Sequence, residues 1–119
     1  MPTPVVILVG GSNAESKSHF YEIFTGAKSS GKVNIRVVSN SIPQIVLIDT
    51  PAELCNRDPY DYTWEGIFHI ADIIVNFGDW SPSEVSGMRP EHPNAPVFLT
   101  WSGDHHETMK RIMDIVQRG

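Results

Sequence analysis

Five short apolar runs divide this chain, and the stretches between them are amphipathic or rich in proline, glycine and serine. Val5 to Val9 is unbroken aliphatic, the pattern of a strand covered on both faces. Beyond it Phe20, Ile23 and Phe24 recur at i, i+3 and i+4, predicting a helix over about Ser16 to Ala27 with those three buried. That helix should stop where Gly26, Ser29, Ser30 and Gly31 accumulate. Val33 to Ser39 is β-branched and alternating, and Gln44 to Asp49 is apolar again, so both read as strands around an Asn40-Ser41-Ile42-Pro43 turn. A connection that short forces an antiparallel pair, because a parallel crossover needs a dozen residues or more.

Thr50 to Tyr62 is too broken by proline for a long helix, and a short helix is predicted over about Thr63 to Ala71. Asp72 to Phe77 reads as another buried strand. Gly78 to Pro96 is loop-rich, although Ser81-Pro82-Ser83-Glu84 has the marks of a helix start: a Ser cap, Pro at the first position and an acid in the first turn. Val97 to Trp101 is the last predicted strand. The last helix spans about Asp104 to Arg118, striped by Met109, Ile112, Met113 and Val116. Strands alternating with helices predict an α/β fold of three layers. Its five-stranded sheet is mostly parallel with one antiparallel edge hairpin, P-loop- or Rossmann-like in type. In such sheets ligands sit beyond the carboxyl ends of the parallel strands. Chemistry is therefore expected from Gly10 to Ser18, Asp49 to Ala52, Phe77 to Ser81 and Thr100 to Asp104.

Composition narrows the partners. The 119 residues suit one domain. With 40% hydrophobic and 19% charged residues, the composition is that of a soluble globular chain. A net charge of −5 with scattered Lys and Arg argues against a nucleic-acid backbone as partner. No apolar run reaches bilayer-spanning length, and Met1-Pro2-Thr3-Pro4 lacks the charged start of a signal peptide, so no membrane partner is expected. A lone Cys55 cannot form an internal disulfide, and a reducing, cytoplasmic location is the expectation.

The loop after the first strand carries the candidate chemistry. Gly10-Gly11-Ser12-Asn13 leads into a helix N-terminus, where free backbone N–H groups and the positive helix end suit an anion such as a phosphate or phosphoribosyl group. Gly11-Ser12-Asn13-Ala14-Glu15-Ser16-Lys17-Ser18 fits GxxxxGK[ST] except that Ser16 replaces the second glycine. In a working P-loop the N–H groups wrap the β-phosphate, the Lys neutralises phosphate charge and the hydroxyl ligates Mg²⁺. Taken alone, Lys17-Ser18 reads as a solvated first turn of helix and Asp49 as a turn cap.

Ile45-Val46-Leu47-Ile48-Asp49-Thr50-Pro51-Ala52 looks like the hhhhDTPG motif of small GTPases, with Ala52 in place of the glycine. With the loop, the hairpin and Phe24-Thr25-Gly26, the first half of the chain resembles the Ras/Era-like P-loop GTPases in degenerate form. The resemblance implies a purine-nucleotide, GTP-class site lined by Gly10, Gly11, Ser12, Asn13, Ser16, Lys17 and Ser18. Ser18 and Asp49 would hold Mg²⁺, and hydrolysis would be weak or absent. The chain departs from the family at Ser16, where a Cβ costs about 1 kcal/mol or more if φ is positive. It also departs at Glu15, beside the expected phosphates. Lys28 to Lys32 offers no Mg²⁺-binding threonine, and Thr100-Trp101-Ser102-Gly103-Asp104 lacks the lysine of NKxD.

The second half is similar to the nucleoside 2-deoxyribosyltransferase-like proteins, through Ile70-Ala71-Asp72-Ile73-Ile74-Val75 and Ser81-Pro82-Ser83-Glu84-Val85. That resemblance implies glycosyl transfer with Glu84 as nucleophile and Asp49 or Asp79 placing sugar hydroxyls. By itself Glu84 reads as a solvated first-turn acid. A flavodoxin-like FMN loop over Gly11 to Ser18 is a weaker match. A third function class is a pseudo-GTPase, the fold kept as an interaction module for a protein partner without a ligand. His105-His106-Glu107 diverge round a helix and form no metal set, and His19, His69 and His92 carry no ligand spacing. Cys55 reads as a loop or core thiol, and Trp64, Trp80 and Trp101 as packing residues, the last two at the ligand edge.

Overall fold

The computed structural model describes residues 3–9, 13–29, 33–38, 43–50, 70–78 and 97–118. Five strands, β1 (Val5–Val9), β2 (Asn34–Val38), β3 (Ile45–Asp49), β4 (Ile73–Asn76) and β5 (Val97–Thr100), form one sheet in the order β2-β3-β1-β4-β5. Only β2 and β3 run antiparallel, with Asn34 opposite Asp49 and Val38 opposite Ile45. The β1–β3, β1–β4 and β4–β5 pairs are parallel. The mostly parallel five-stranded α/β sheet with an antiparallel edge pair is therefore as the hydrophobic pattern predicts. β1 lies at its centre, which explains its unbroken aliphatic sequence: Val6 to Val9 have no exposed surface at all.

Alternate residues of the sheet point to two cores. On one face Val6, Leu8, Ile45, Leu47, Ile73, Val75 and Leu99 join Phe20 and Tyr21 of α1 (Ala14–Thr25) and Ile112 of α2 (His105–Arg118). On the other, Ile7, Val9, Ile48, Ala71 and Ile74 cluster with half-buried Val5, Val46 and Phe98. Both described helices pack on the first face. The helix predicted near Ser81, and nearly all of that predicted from Thr63, lie outside the described residues. Each fully buried Ile, Leu or Phe contributes about 1.5–3 kcal/mol relative to exposure. None of the described helices is long and apolar enough to cross a membrane.

Helix α1 differs from expectation in phase. It starts at Ala14, two residues early, and its buried stripe is Lys17, Phe20 and Tyr21 with half-buried Phe24. Ile23 lies on the outer flank, 40% exposed, while the larger Tyr21 takes the sheet-facing place. Gly26 ends the helix in the left-handed region at φ 72°, its N–H donating to Glu22 O at 3.0 Å. At α2, Asp104 is the cap: its Oδ1 accepts the His106 and Glu107 N–H groups at 2.9 and 3.1 Å. The expected stripe of Met109, Ile112, Met113 and Val116 faces the core, joined by Thr108.

Candidate functional site

The chain leaves β1 for β3 on one side and reaches β4 on the other, so the carboxyl end of β1 is the point where strand order reverses. Open α/β sheets hold ligands in the crevice at such a point. Side chains tie it on both flanks. Asn13 Nδ2 donates to Phe77 O, just beyond β4, at 2.6 Å. Lys17 Nζ donates to Thr50 O, just beyond β3. The Thr50 hydroxyl in turn donates to Leu8 O of β1 at 2.8 Å.

Lys17 is only 1% exposed, so the motif lysine is not the solvated first-turn residue that its local sequence suggests. Its position on the helix dictates this: α1 lies along the sheet, and the stripe that buries Phe20 and Tyr21 also carries the residue one turn earlier. An ammonium in that place needs partners, since a lone buried charge costs several kcal/mol. The Thr50 carbonyl supplies one, and Asp49 Oδ1 lies 3.7 Å from Nζ as counter-charge.

Asp49 is equally enclosed, at 2% exposure. Its Oδ2 accepts the Ser29 hydroxyl at 2.6 Å, whereas Oδ1 accepts no hydrogen bond among the described residues. Burial raises the Asp49 carboxyl above its ordinary value; the Ser29 hydroxyl and the Lys17 charge oppose that shift without cancelling it. Ser29 is fixed by its own N–H, which donates to Glu22 Oε2 at 3.0 Å, and Asn34 Nδ2 reaches its hydroxyl at 3.5 Å. The result is a continuous polar chain from the first turns of α1, through the end of β3, to the connection before β2.

The predicted site residues divide unevenly. Lys17 and Asp49 are brought together, and Asn13 joins them at the same edge. Ser16 and Ser18 are half-buried on the helix, and Glu15 is exposed in its first turn. No non-glycine residue among those described has positive φ, so Ser16 carries none of the strain that a looped conformation would impose. The Lys17 N–H already bonds Asn13 O at 3.0 Å, leaving the earlier N–H groups of the helix as the ones free of intrahelical partners. Gly10, Gly11, Ser12, Ala52, Asp79 and Glu84 lie outside the described residues, as do Cys55, Trp64, Trp80, His69 and His92.

Two participants are not among the site residues that the sequence singles out. Thr50 lies within the DTP-like segment, but its part is played by a backbone carbonyl and a hydroxyl tie to β1 that the motif does not specify. Ser29 sits among loop residues that no motif marks, and only the fold brings its hydroxyl to Asp49. Farther along the edge, Trp101 stacks between Phe77 and His105, with ring centroids 5.2 and 5.6 Å away. Burial lowers the His105 pKa, and the neighbouring His19 and His106 lower it further. Asp104 spends Oδ1 on capping α2. The described residues contain no cluster of three or more His, Cys, Asp or Glu able to hold a metal. No protein-family model matches the sequence, and no curated protein is significantly similar to it.

Proposed function

We propose that this chain binds a purine nucleotide of the GTP class by its phosphates, at the carboxyl edge of β1 and β3, with weak or no hydrolysis. The observation that carries the reading is the buried pairing of Lys17 and Asp49 beneath the N-terminus of α1. It unites the two residues that the P-loop-like and DTP-like segments single out independently. The helix N-terminus offers free N–H groups and positive potential to an anion. Lys17 supplies the counter-charge by turning from Thr50 O toward phosphate. Ser18 and Asp49 would hold Mg²⁺ when it is bound, and their hard oxygen donors suit that ion. A cytoplasmic location accords with this use.

Calorimetric titration with GTP and GDP, with and without Mg²⁺, tests the proposal. Micromolar, Mg²⁺-dependent binding that is lost in a folded Lys17→Met variant is the expected result. No heat at millimolar nucleotide overturns it.

A second reading, a pseudo-GTPase that uses the fold to hold a protein partner, draws on a different aspect of the same pair. Lys17 and Asp49 already face one another as counter-charges without a ligand, and the Lys17 ammonium already donates to Thr50 O. On that reading nucleotide produces no heat, and partner binding survives replacement of both residues. Glycosyl transfer depends on Glu84, outside the described residues, and no observation favours it.

A further inference from the structure

We infer that the chain self-associates through the β2 edge, two copies pairing antiparallel about a twofold axis at Ile35 to extend the sheet across both. β2 is the outer strand of the antiparallel pair, and its five residues pair with β3 in unbroken register. It is also the most exposed apolar part of the described sheet: Val33, Ile35 and Val37 are 46, 60 and 50% exposed. These three lie at i, i+2 and i+4, hence on one face. Natural edge strands are blunted by charged side chains, proline or bulges; Asn34–Val38 has no proline or bulge, and its one charge, Arg36, lies on the face opposite the apolar row. The opposite edge is less open, since Arg111 Nη1 donates to Thr100 O of β5 at 3.1 Å.

The sequence of β2 chooses the partner and the register. A twofold at Arg36 would set two guanidinium groups directly opposite, which is unfavourable. Centring on Ile35 sets Ile35 against Ile35 of the second copy and Val33 against Val37 twice, making three apolar cross-strand pairs on one face. On the other face the same register sets each Arg36 opposite Asn34, a neutral amide that tolerates the charge. Arg36 already lies beside the Tyr21 hydroxyl, on the helix-covered face and away from the apolar row. The strand is thus self-complementary in one register, the requirement for a twofold contact between identical copies. A single strand pair is a small interface, so association is weak and concentration-dependent.

Sedimentation equilibrium from about 10 µM to about 1 mM tests this. The expected result is a shift from 13.3 kDa toward twice that mass. Ile35→Lys, at an exposed position, should weaken association at least about tenfold by facing two ammonium groups across the axis, with the circular dichroism unchanged. In the paired register two Cα atoms at position 35 lie about 4.5–5.5 Å apart, within disulfide reach. Ile35→Cys should therefore oxidise to a linked dimer faster than Val97→Cys or the parent with its Cys55. A chain that stays monomeric over this range overturns the inference. So does a dimer indifferent to Ile35→Lys, or crosslinking no faster at position 35 than at 97.

Discussion

Replacing Lys17 by methionine is the sharpest test of how the site is held. Methionine keeps an apolar stem of similar length but removes the ammonium, and with it the hydrogen bond to Thr50 O and the charge facing Asp49. Asp49 is left 2% exposed, with Ser29 as its one hydrogen-bond donor among the described residues and no cation at 3.7 Å. Removing one member of a buried pair costs about 3–5 kcal/mol, because the survivor stays buried and uncompensated. Both side chains are almost wholly enclosed, so solvent screening takes little off that figure. For a domain of this length each kcal/mol moves Tm by roughly 3–5 °C, giving a fall of about 10–25 °C.

The pH dependence follows from the carboxyl group. Asp49 is already raised above its ordinary value by burial, and the variant raises it further. Between the unfolded value and the raised folded one, the native state binds the extra proton, so stability falls as pH rises through that window. The gap between parent and variant should accordingly be largest near neutral pH and should narrow on acidification, as Asp49 takes up a proton and sheds its unpaired charge. Urea unfolding at about pH 7 and about pH 4 measures this. Adding Asp49→Asn to the variant should recover more than half of the loss, since the amide oxygen still accepts from Ser29. A variant within about 1 kcal/mol of the parent, with a pH-independent gap, would mean that the pair is not buried as described and would refute the reasoning.

Ser29→Ala removes the donor to Asp49 Oδ2 and should cost about 1–3 kcal/mol in urea unfolding, more than an exposed serine would. The lowered pKa of His105 means that the unfolded chain takes up a proton first on acidification. Stability should therefore fall as pH drops through the ordinary histidine value, and His105→Phe should flatten that part of the profile. Ile112→Ala, at a residue with no exposed surface, should cost about 2–5 kcal/mol. Ile23→Ala, on the exposed flank of α1, should cost under about 0.5 kcal/mol, and chemical denaturation separates the two readily.

Strand positions were legible because each is an apolar run bounded by glycine, proline or polar turns, and the short link after β2 dictated the antiparallel pair. The burial of Ile112 was legible from spacing alone. The phase of α1 was not, since Phe20 and Phe24 fit a stripe centred on Tyr21 as well as one centred on Ile23. Only the approach to β3 and β2 chooses between them. Lys17 was the harder case. Helical lysines are normally solvated, and the reason this one is not lies in tertiary contacts with the Thr50 carbonyl and a strand-end carboxylate. Asp104 shows the converse: its cap role is ordinary local chemistry, fixed by its place just before the helix.

The ties across the crevice constrain what any phosphate-bearing ligand must do. On the β4 side the tie is Asn13, a largely exposed neutral amide whose hydrogen bond to Phe77 O exchanges with water at little cost. On the β3 side it is Lys17, whose departure strands a buried carboxylate. A nucleotide that draws Lys17 away therefore binds well only if something else neutralises Asp49, either a cation beside its oxygens or a proton on them. This accounts for the Mg²⁺ dependence expected in the titration. It also implies that, without Mg²⁺, affinity should rise as pH falls. A purely structural pair has no such coupling. The same burial that makes Lys17 look like a core residue would then be what links anion capture to cation capture, so the two readings of the site part at a measurable linkage rather than at the geometry they share.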